Sequence, residues 1–246
     1  MKEFDKDTTA QNTTGNPVTD TAFSSAFDCV ILADGDFPTA GIPLTALRNA
    51  KKIICCDNAA VSLASHGFTP YAVVGDGDSL PYELQEKLKD RYIHISEQDD
   101  NDLTKATRYA ISNIKPCGKT LSIAYLGCTG RREDHTLGNI SLMARYMNDF
   151  GLHPVMLTDY GYFVPATGNT VFNTFARQQV SIFNITCSRL ESTGLRWNSY
   201  AYKSLWQGTL NEATGYETTF SADGSYLVYL TYKPKSTEPS EDNDAQ

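Results

Sequence analysis

The sequence lacks the basic surface charge of nucleic-acid-binding proteins and the long apolar runs of membrane-spanning proteins. It is not basic: 21 Lys and Arg stand against 29 Asp and Glu, for a net charge of −8. A nucleic-acid interface needs a basic surface, so this balance argues against one. It also has no apolar run approaching the roughly 20 residues of a membrane span. We therefore expect neither nucleic-acid nor membrane partners.

Signals for secretion are also missing. Residues 1–25 are polar and contain no apolar core of a signal peptide. The six cysteines show no C-x-x-C spacing, which favours buried, reduced thiols over disulfides or a metal site. We predict a cytoplasmic protein.

The length of 246 residues, with 41% hydrophobic residues, suffices for one large domain or two modest ones. Residues 1–25 are predicted to be a disordered lead-in. From 26 to 160, continuous apolar runs alternate with segments of helical periodicity, which predicts an α/β fold with a doubly wound, mostly parallel sheet. The predicted strands are 29–33, 52–56, 71–74, 92–95, 120–126 and 154–157. The predicted helices are 42–49, 59–66, 82–89, 103–114 and 137–150.

The pattern changes after residue 160. Short segments rich in Thr, Val, Phe and Tyr follow one another with turn signals, which predicts a small all-β sandwich domain over 161–233. The predicted strands are 161–165, 170–174, 179–184, 205–210, 217–221 and 226–232. Residues 234–246 are predicted to be a disordered acidic tail.

Two carboxylates, Asp76 and Asp78, follow the apolar run 72–74 and are separated by a single glycine. Such a pair is frequently solvated in a loop, but it also suits Mg²⁺, which proteins hold through a few carboxylates together with substrate phosphates. Four consecutive predicted strands end in acids, and parallel strands place their carboxyl ends at one edge of the sheet. This regularity favours a metal site over scattered loop charges.

Two further segments are candidates for phosphate chemistry. The acidic run 99–102 precedes Lys105 at the start of a predicted helix; helix capping and a salt bridge would explain it as well as phosphate binding. The segment 127–137 carries glycines and two arginines between a strand and a helix, an arrangement that can cradle phosphate. Within it, His135 is equally compatible with a cap, a packing role or catalysis.

Taken in order, these segments resemble the thiamine pyrophosphokinase (thiamine diphosphokinase) family. The matching segments are Cys55-Cys56-Asp57-Asn58-Ala59-Ala60, 70–79, Gln98-Asp99-Asp100-Asn101-Asp102-Leu103-Thr104-Lys105, 127–139 and Ser192-Thr193-Gly194-Leu195-Arg196-Trp197. The resemblance implies transfer of a diphosphate group from ATP to the hydroxyethyl group of thiamine, with release of AMP. It also implies Mg²⁺ as cofactor and a homodimer whose sites are shared between subunits.

The resemblance implies a role for individual residues as well. The catalytic, Mg²⁺-directed acids are Asp76, Asp78 and Asp102. The ATP-binding residues are Asp57, Asp99, Thr104, Lys105, Arg132, Asp134, Thr136 and Asn139. The thiamine-binding residues are Trp197, Thr214 and Asn211, with Trp197 stacking on the pyrimidine; a place in the sandwich core is the alternative for this tryptophan.

The sequence departs from the family pattern at three places. Asn58 and Ala59 stand where the family has two glycines, and Arg131 replaces the second glycine before Arg132. Gly215 stands where the family has an asparagine, so Asn211 or Glu212 is expected to substitute. Three alternative functions stay open: a Mg²⁺-dependent nucleotide pyrophosphohydrolase, a nucleotide-sugar transferase that uses the same acidic edge, and a non-catalytic thiamine- or nucleotide-binding regulator.

Overall fold

The structure is a computed structural model that describes residues 13–14, 27–39, 41–76 and 80–235. Most of the predicted lead-in and of the acidic tail lies outside these residues, as does the predicted metal ligand Asp78. Two residues of the lead-in, Thr13–Thr14, form a short strand, β1.

The first half of the chain forms the predicted α/β layer. Apolar runs such as Cys-Val-Ile-Leu in β2 are buried on both faces, as parallel strands between helices require. The strands are β2 (Cys29–Leu32), β3 (Ile53–Cys56), β4 (Ala72–Gly75), β5 (Tyr92–His94), β6 (Ile123–Leu126) and β7 (Val155–Leu157). The helices are α1 (Gly41–Asn49), α2 (Ala59–Ser65), α3 (Tyr82–Leu88), α4 (Asp102–Asn113) and α5 (Glu133–Phe150). All neighbours in the order β7-β6-β2-β3-β4-β5 are parallel.

The second half of the chain is antiparallel and β-rich. Its strands are β8 (Gly161–Thr167), β9 (Thr170–Asn173), β10 (Gln178–Asn184), β11 (Leu190–Thr193), β12 (Asn211–Glu212), β13 (Glu217–Ala222) and β14 (Ser225–Pro234). One sheet has the order β1-β9-β13-β11 and faces strands β10, β14 and β8 of the other. Phe220 in β13 joins the two layers, because its ring lies 5.3 Å from that of Tyr226 in β14 of the other sheet. The predicted fold class, an α/β layer followed by a β sandwich, is confirmed.

The larger sheet continues without a break from one half to the other. β8 pairs antiparallel with β7, placing Met156 opposite Phe163 and Leu157 opposite Tyr162. The ten strands therefore run in the order β12-β10-β14-β8-β7-β6-β2-β3-β4-β5. One buried hydrophobic cluster extends from Leu32 and Leu126 through this junction to Phe220.

One strand prediction is wrong. Residues 205–210 were expected to be extended, but Leu205–Gly208 form a 3-10 helix. The reason is a capping box: the Gln207 side chain accepts hydrogen bonds from the backbone amides of Lys203 and Ser204, both at 2.9 Å. A local hydrogen-bond pattern thus overrides the apolar residues on which the strand prediction depended.

None of the helices in the described ranges is both long enough and apolar enough to cross a membrane.

Candidate active site

The carboxyl ends of β2, β3, β4 and β6 meet the first turns of α4 and α5 around a cavity of about 460 Å³. Its position follows from the parallel strand order, which brings the strand ends to one edge. Six of the predicted site residues line it: Asp57, Asp76, Asp102, Lys105, Arg132 and Asn139. The predicted residues Asp99, Thr104, Asp134 and Thr136 do not.

Two acids at the strand ends are fixed by the backbone. The amide of Asp57 donates to the carbonyl oxygen of Val74 at 2.9 Å, and its side chain is buried. A Cβ atom at Gly75 would lie 2.7 Å from the Cβ of Asp57, so only glycine fits there. Asp57 itself has φ +36°, an uncommon backbone conformation for a residue other than glycine. The following strand end brings Asp76 to the same cavity.

The first turn of α4 presents an acid and a base side by side. Asn101 caps the helix, since its Oδ1 accepts from the amide of Thr104 at 3.0 Å. Within this turn, Lys105 Nζ lies 3.2 Å from Asp102 Oδ1. The lysine side chain is only 3% exposed and the aspartate 39%, so the ammonium group is held at the cavity wall.

Thr104 points away from the cavity. Its hydroxyl is buried, donates to Asn101 Oδ1 at 2.8 Å and lies 2.9 Å from the hydroxyl of Tyr146 on α5. Thr104 therefore supports the capped turn from behind, instead of facing a ligand.

Asp100 connects α4 to α5. Its Oδ1 lies 2.7 Å from Arg145 Nη1, its Oδ2 pairs with Arg108, and its side chain is only 7% exposed. The hydrogen bond from Arg145 holds the pKa of the Asp100 carboxyl below its usual value. The neighbouring Asp99 is exposed.

The loop from Gly127 to Arg132 forms the opposite wall. Asn139 Nδ2 donates to the carbonyl oxygen of Cys128 at 2.9 Å, which ties the loop to α5. Arg132 reaches the cavity edge and also forms an ion pair of 2.6 Å with Asp134. The hydrogen bond from Arg132 holds the pKa of Asp134 far below its usual value. The hydroxyl of Thr136 donates to the carbonyl oxygen of Arg132 at 3.1 Å.

Asp34, Asn58 and Arg131 are among the cavity-lining residues that were not predicted as site residues. Asp34 Oδ2 lies 2.7 Å from Arg131 Nη1 and accepts from Asn58 Nδ2 at 3.1 Å. Asn58 and Arg131 are two of the departures from the family pattern, and that was the signal that could have identified them. The contacts of Asn58 and Arg131 with Asp34 could not be predicted, because they depend on the fold.

The two cavity-lining cysteines are not suited to nucleophilic chemistry. Cys56 and Cys128 are buried, and burial raises the pKa of each thiol well above its usual range. Both thiols therefore stay protonated near neutral pH.

A second cavity, of about 280 Å³, lies in the β-rich half and is lined by Trp197, Tyr200, Tyr202 and Asn211, among others. The Trp197 side chain is 52% exposed, which excludes the sandwich core as its place. The amide of Asn211 binds both backbone groups of Trp197, with Oδ1 accepting at 3.1 Å and Nδ2 donating at 2.8 Å. Thr214 is exposed and does not line this cavity.

Carboxylate oxygen donors for a cation are present at the first cavity. Among residues 27–39, 41–76 and 80–235, no group of three or more His, Cys, Asp or Glu side chains is arranged to hold a metal ion. The donors are nevertheless carboxylates, the type that Mg²⁺ prefers, and Mg²⁺ commonly completes its shell with substrate phosphates and water.

Comparisons with known proteins give a consistent result for both halves. Residues 44–153 match the family model described as the thiamin pyrophosphokinase catalytic domain, and residues 161–229 match that of its substrate-binding domain. A thiamine pyrophosphokinase of Bacillus subtilis is 30% identical over 91 residues, which are 35% of this chain and 40% of that relative's length.

Solved structures show the same fold. The crystal structure of the Bacillus subtilis thiamine pyrophosphokinase aligns with a TM-score of 0.65 at 20% identity, covering 82% of this chain and 98% of that one. The yeast thiamin pyrophosphokinase aligns with a TM-score of 0.68 at 14% identity, covering 84% and 87%.

Proposed function

The chain belongs to the thiamin pyrophosphokinase family, and we propose that it transfers a diphosphate group from ATP to thiamine, giving thiamine diphosphate and AMP. One observation carries this proposal: a match to the catalytic domain is followed along the chain by a match to the substrate-binding domain. Each matched segment provides most of the residues that line one of the two cavities. A nucleotide pyrophosphohydrolase would have no use for the second segment. A non-catalytic regulator that binds ATP would use the same acids, and the assay below distinguishes it because it would form no AMP.

The reaction joins two substrates of opposite charge. The hydroxyl oxygen of thiamine forms a bond to the β-phosphorus of ATP, and the bond from that phosphorus to the α,β-bridging oxygen breaks. AMP leaves with the bridging oxygen, and the hydroxyl proton is released to solvent. The protein contributes mainly by orienting the reactants and by stabilising charge.

We assign the catalytic and Mg²⁺-directed role to Asp76 and Asp102, which line the first cavity, and to Asp78, which lies outside the described residues. Mg²⁺ would neutralise phosphate oxygens during the transfer. Lys105 and Arg132 are the cations suited to the triphosphate, because both line the cavity. Asp57 shapes the wall, and Asn139 keeps the phosphate-facing loop against α5.

At the second cavity, Trp197 is the proposed thiamine-binding residue. Its half-exposed ring offers a face for stacking and for attraction of the cationic thiazolium. Asn211 positions this ring through the two hydrogen bonds to the Trp197 backbone. Thr214 does not line this cavity, and we propose it as a thiamine contact because it is exposed and carries a hydroxyl group.

We further propose a cytoplasmic homodimer whose sites are shared between subunits. Leu205, Trp206 and Leu210 support it, because they are 59%, 74% and 68% exposed and lie next to the Trp197 cavity. Neighbouring exposed apolar side chains mark surfaces that bind partners.

One assay tests the proposed function. The protein is incubated with Mg²⁺ and ATP, with and without thiamine, and AMP and thiamine diphosphate are quantified. We expect both products in equal amounts, only with thiamine. Asp76→Asn should remove most turnover, whereas Asp90→Asn, at an exposed position after α3, should not. AMP formed without thiamine would identify a hydrolase instead.

A further inference from the structure

Three separate parts of the chain meet on one carboxylate at the edge of the first cavity. Asp34 follows β2, Asn58 follows β3, and Arg131 belongs to the loop after β6. Asp34 Oδ2 accepts from both partners, at 2.7 Å from Arg131 Nη1 and 3.1 Å from Asn58 Nδ2. Two positions where the family has glycine are therefore linked through Asp34.

The backbone holds Arg131 in a place made for glycine. Its φ is +56°, in the left-handed region, where a side chain is costly. The loop carrying it is attached to the β2 end by two backbone hydrogen bonds: the Gly35 amide donates to the Gly127 carbonyl at 2.7 Å, and the Asp36 amide donates to the Thr129 carbonyl at 2.8 Å. The loop thus keeps the backbone of a glycine loop and adds a guanidinium group to it.

The chemistry of the pair suits a polyphosphate. A guanidinium carries five N–H donors, and the ion pair with Asp34 uses only one of its edges. The Arg131 side chain is 49% exposed and lines the same cavity as Lys105 and Arg132. Asp34 alone would repel phosphate, but its charge is neutralised by the arginine.

We propose that Arg131 is an additional triphosphate-binding residue and that Asp34, oriented by Asn58, is the positioning residue that holds its guanidinium. This inference rests on the proposed function, because it takes ATP as the ligand of the first cavity. It goes beyond the family pattern, which has no side chain at this position.

The test compares Arg131→Gly with a matched control, Arg177→Gly. Both arginines have positive φ, +56° and +69°, so glycine relieves similar backbone strain at both positions. Arg177 lies in the turn before β10, in the β-rich half. Dissociation constants for ATP are measured by calorimetry in the presence of Mg²⁺, with tripolyphosphate as a competitor, and thermal melting verifies the fold.

We expect Arg131→Gly to weaken both ATP and tripolyphosphate binding about tenfold or more, as for loss of a charge-assisted phosphate contact. Arg131→Lys should give an intermediate loss, and Arg177→Gly less than twofold. Unchanged ATP binding by Arg131→Gly would overturn the proposal. So would a loss for ATP without a loss for tripolyphosphate, since Arg131 would then act on the nucleoside.

The positioning role of Asp34 is tested by Asp34→Ala, made both in the wild type and in the Arg131→Gly background. In the wild type it removes the ion pair that holds the guanidinium, so ATP affinity should fall toward that of Arg131→Gly. In the Arg131→Gly background it should cause no further loss. An unchanged affinity in the wild type, or an equal loss in both backgrounds, would overturn the positioning role. If the wild type binds ATP but makes no thiamine diphosphate, the proposed function fails while these comparisons still decide the role of Arg131. A wild type that does not bind ATP would overturn both.

Discussion

Replacing Asp100 with alanine should destabilise the protein by about 2 kcal/mol, because this carboxylate holds α4 and α5 together. Exposed ion pairs contribute less than ~1 kcal/mol, whereas breaking a buried pair costs ~3–5 kcal/mol. The Asp100 side chain is 7% exposed, but Arg108 and Arg145 are 46% and 39% exposed, which places the cost between these limits.

The two arginines keep other acids when Asp100 is removed. Arg108 Nη1 lies 3.2 Å from a carboxylate oxygen of Glu97, and Arg145 Nε lies 3.5 Å from one of Asp149. These contacts limit the loss to about 2 kcal/mol. For a chain of this size, that corresponds to a Tm lower by about 4–8 °C.

The assay is urea and thermal denaturation of Asp100→Ala beside Asp99→Ala. Asp99 is an exposed acid at nearly the same distance from the start of α4, so it controls for charge near the helix end. We expect Asp99→Ala to change stability by less than ~0.5 kcal/mol. Equal effects of the two substitutions would refute the reasoning.

The pH dependence provides a second check. Because Arg145 holds the pKa of the Asp100 carboxyl below its usual value, the contribution of Asp100 is complete above the unfolded pKa of about 3.9. It is lost as the pH falls through the lower folded pKa. The difference between wild type and Asp100→Ala should therefore be constant from pH 7 to 5 and shrink below about pH 4.

Three further predictions concern other parts of the molecule. Trp197→Ala should raise KM for thiamine at least about tenfold with little change in KM for ATP. The control Tyr160→Ala, at another exposed aromatic residue, should change neither KM value. Equal effects of Trp197→Ala on both substrates would contradict the thiamine role. Gly194→Ala should lower Tm more than Gly168→Ala. Both glycines have positive φ, but only at Gly194 would a Cβ atom collide with a carbonyl oxygen, that of Glu217. Equal Tm values for the two variants would count against this close approach. An alkylating reagent at pH 8 should modify about one thiol in the native protein, that of the exposed Cys117. After unfolding in urea, all six thiols should react. Rapid modification of a second thiol in the native protein would contradict the burial of the other five.

The sequence was sufficient to predict the sheet edge but not the contacts across it. Asp57 and Asp76 could be placed because each directly follows an apolar run that forms a parallel strand. The inward orientation of Thr104 could not, since it depends on the Tyr146 hydroxyl from a distant helix. The ion pair between Asp34 and Arg131 was missed for the same reason. The sequence placed Asp34 among the acids at the strand ends and Arg131 in the phosphate-cradling segment, but their contact depends on the pairing of β2 with β6.

The β-rich half was predicted less completely. Periodicity identified most of its strands, but β11 and β12 are short and have no distinct pattern. The 3-10 helix was missed because Leu205, Trp206 and Leu210 have the composition of a strand. Their exposure shows that they are not core residues at all.

The uninterrupted ten-stranded sheet has a consequence for how this protein can be divided. A cut between residues 157 and 161 would separate two strands that are bonded side by side and would open the apolar cluster that spans them. Each fragment would then expose an edge strand with unpaired backbone groups, and such edges are prone to aggregation. The two segments that family models treat as modules should therefore melt in one calorimetric transition, and neither should be obtainable as a stable piece by limited proteolysis.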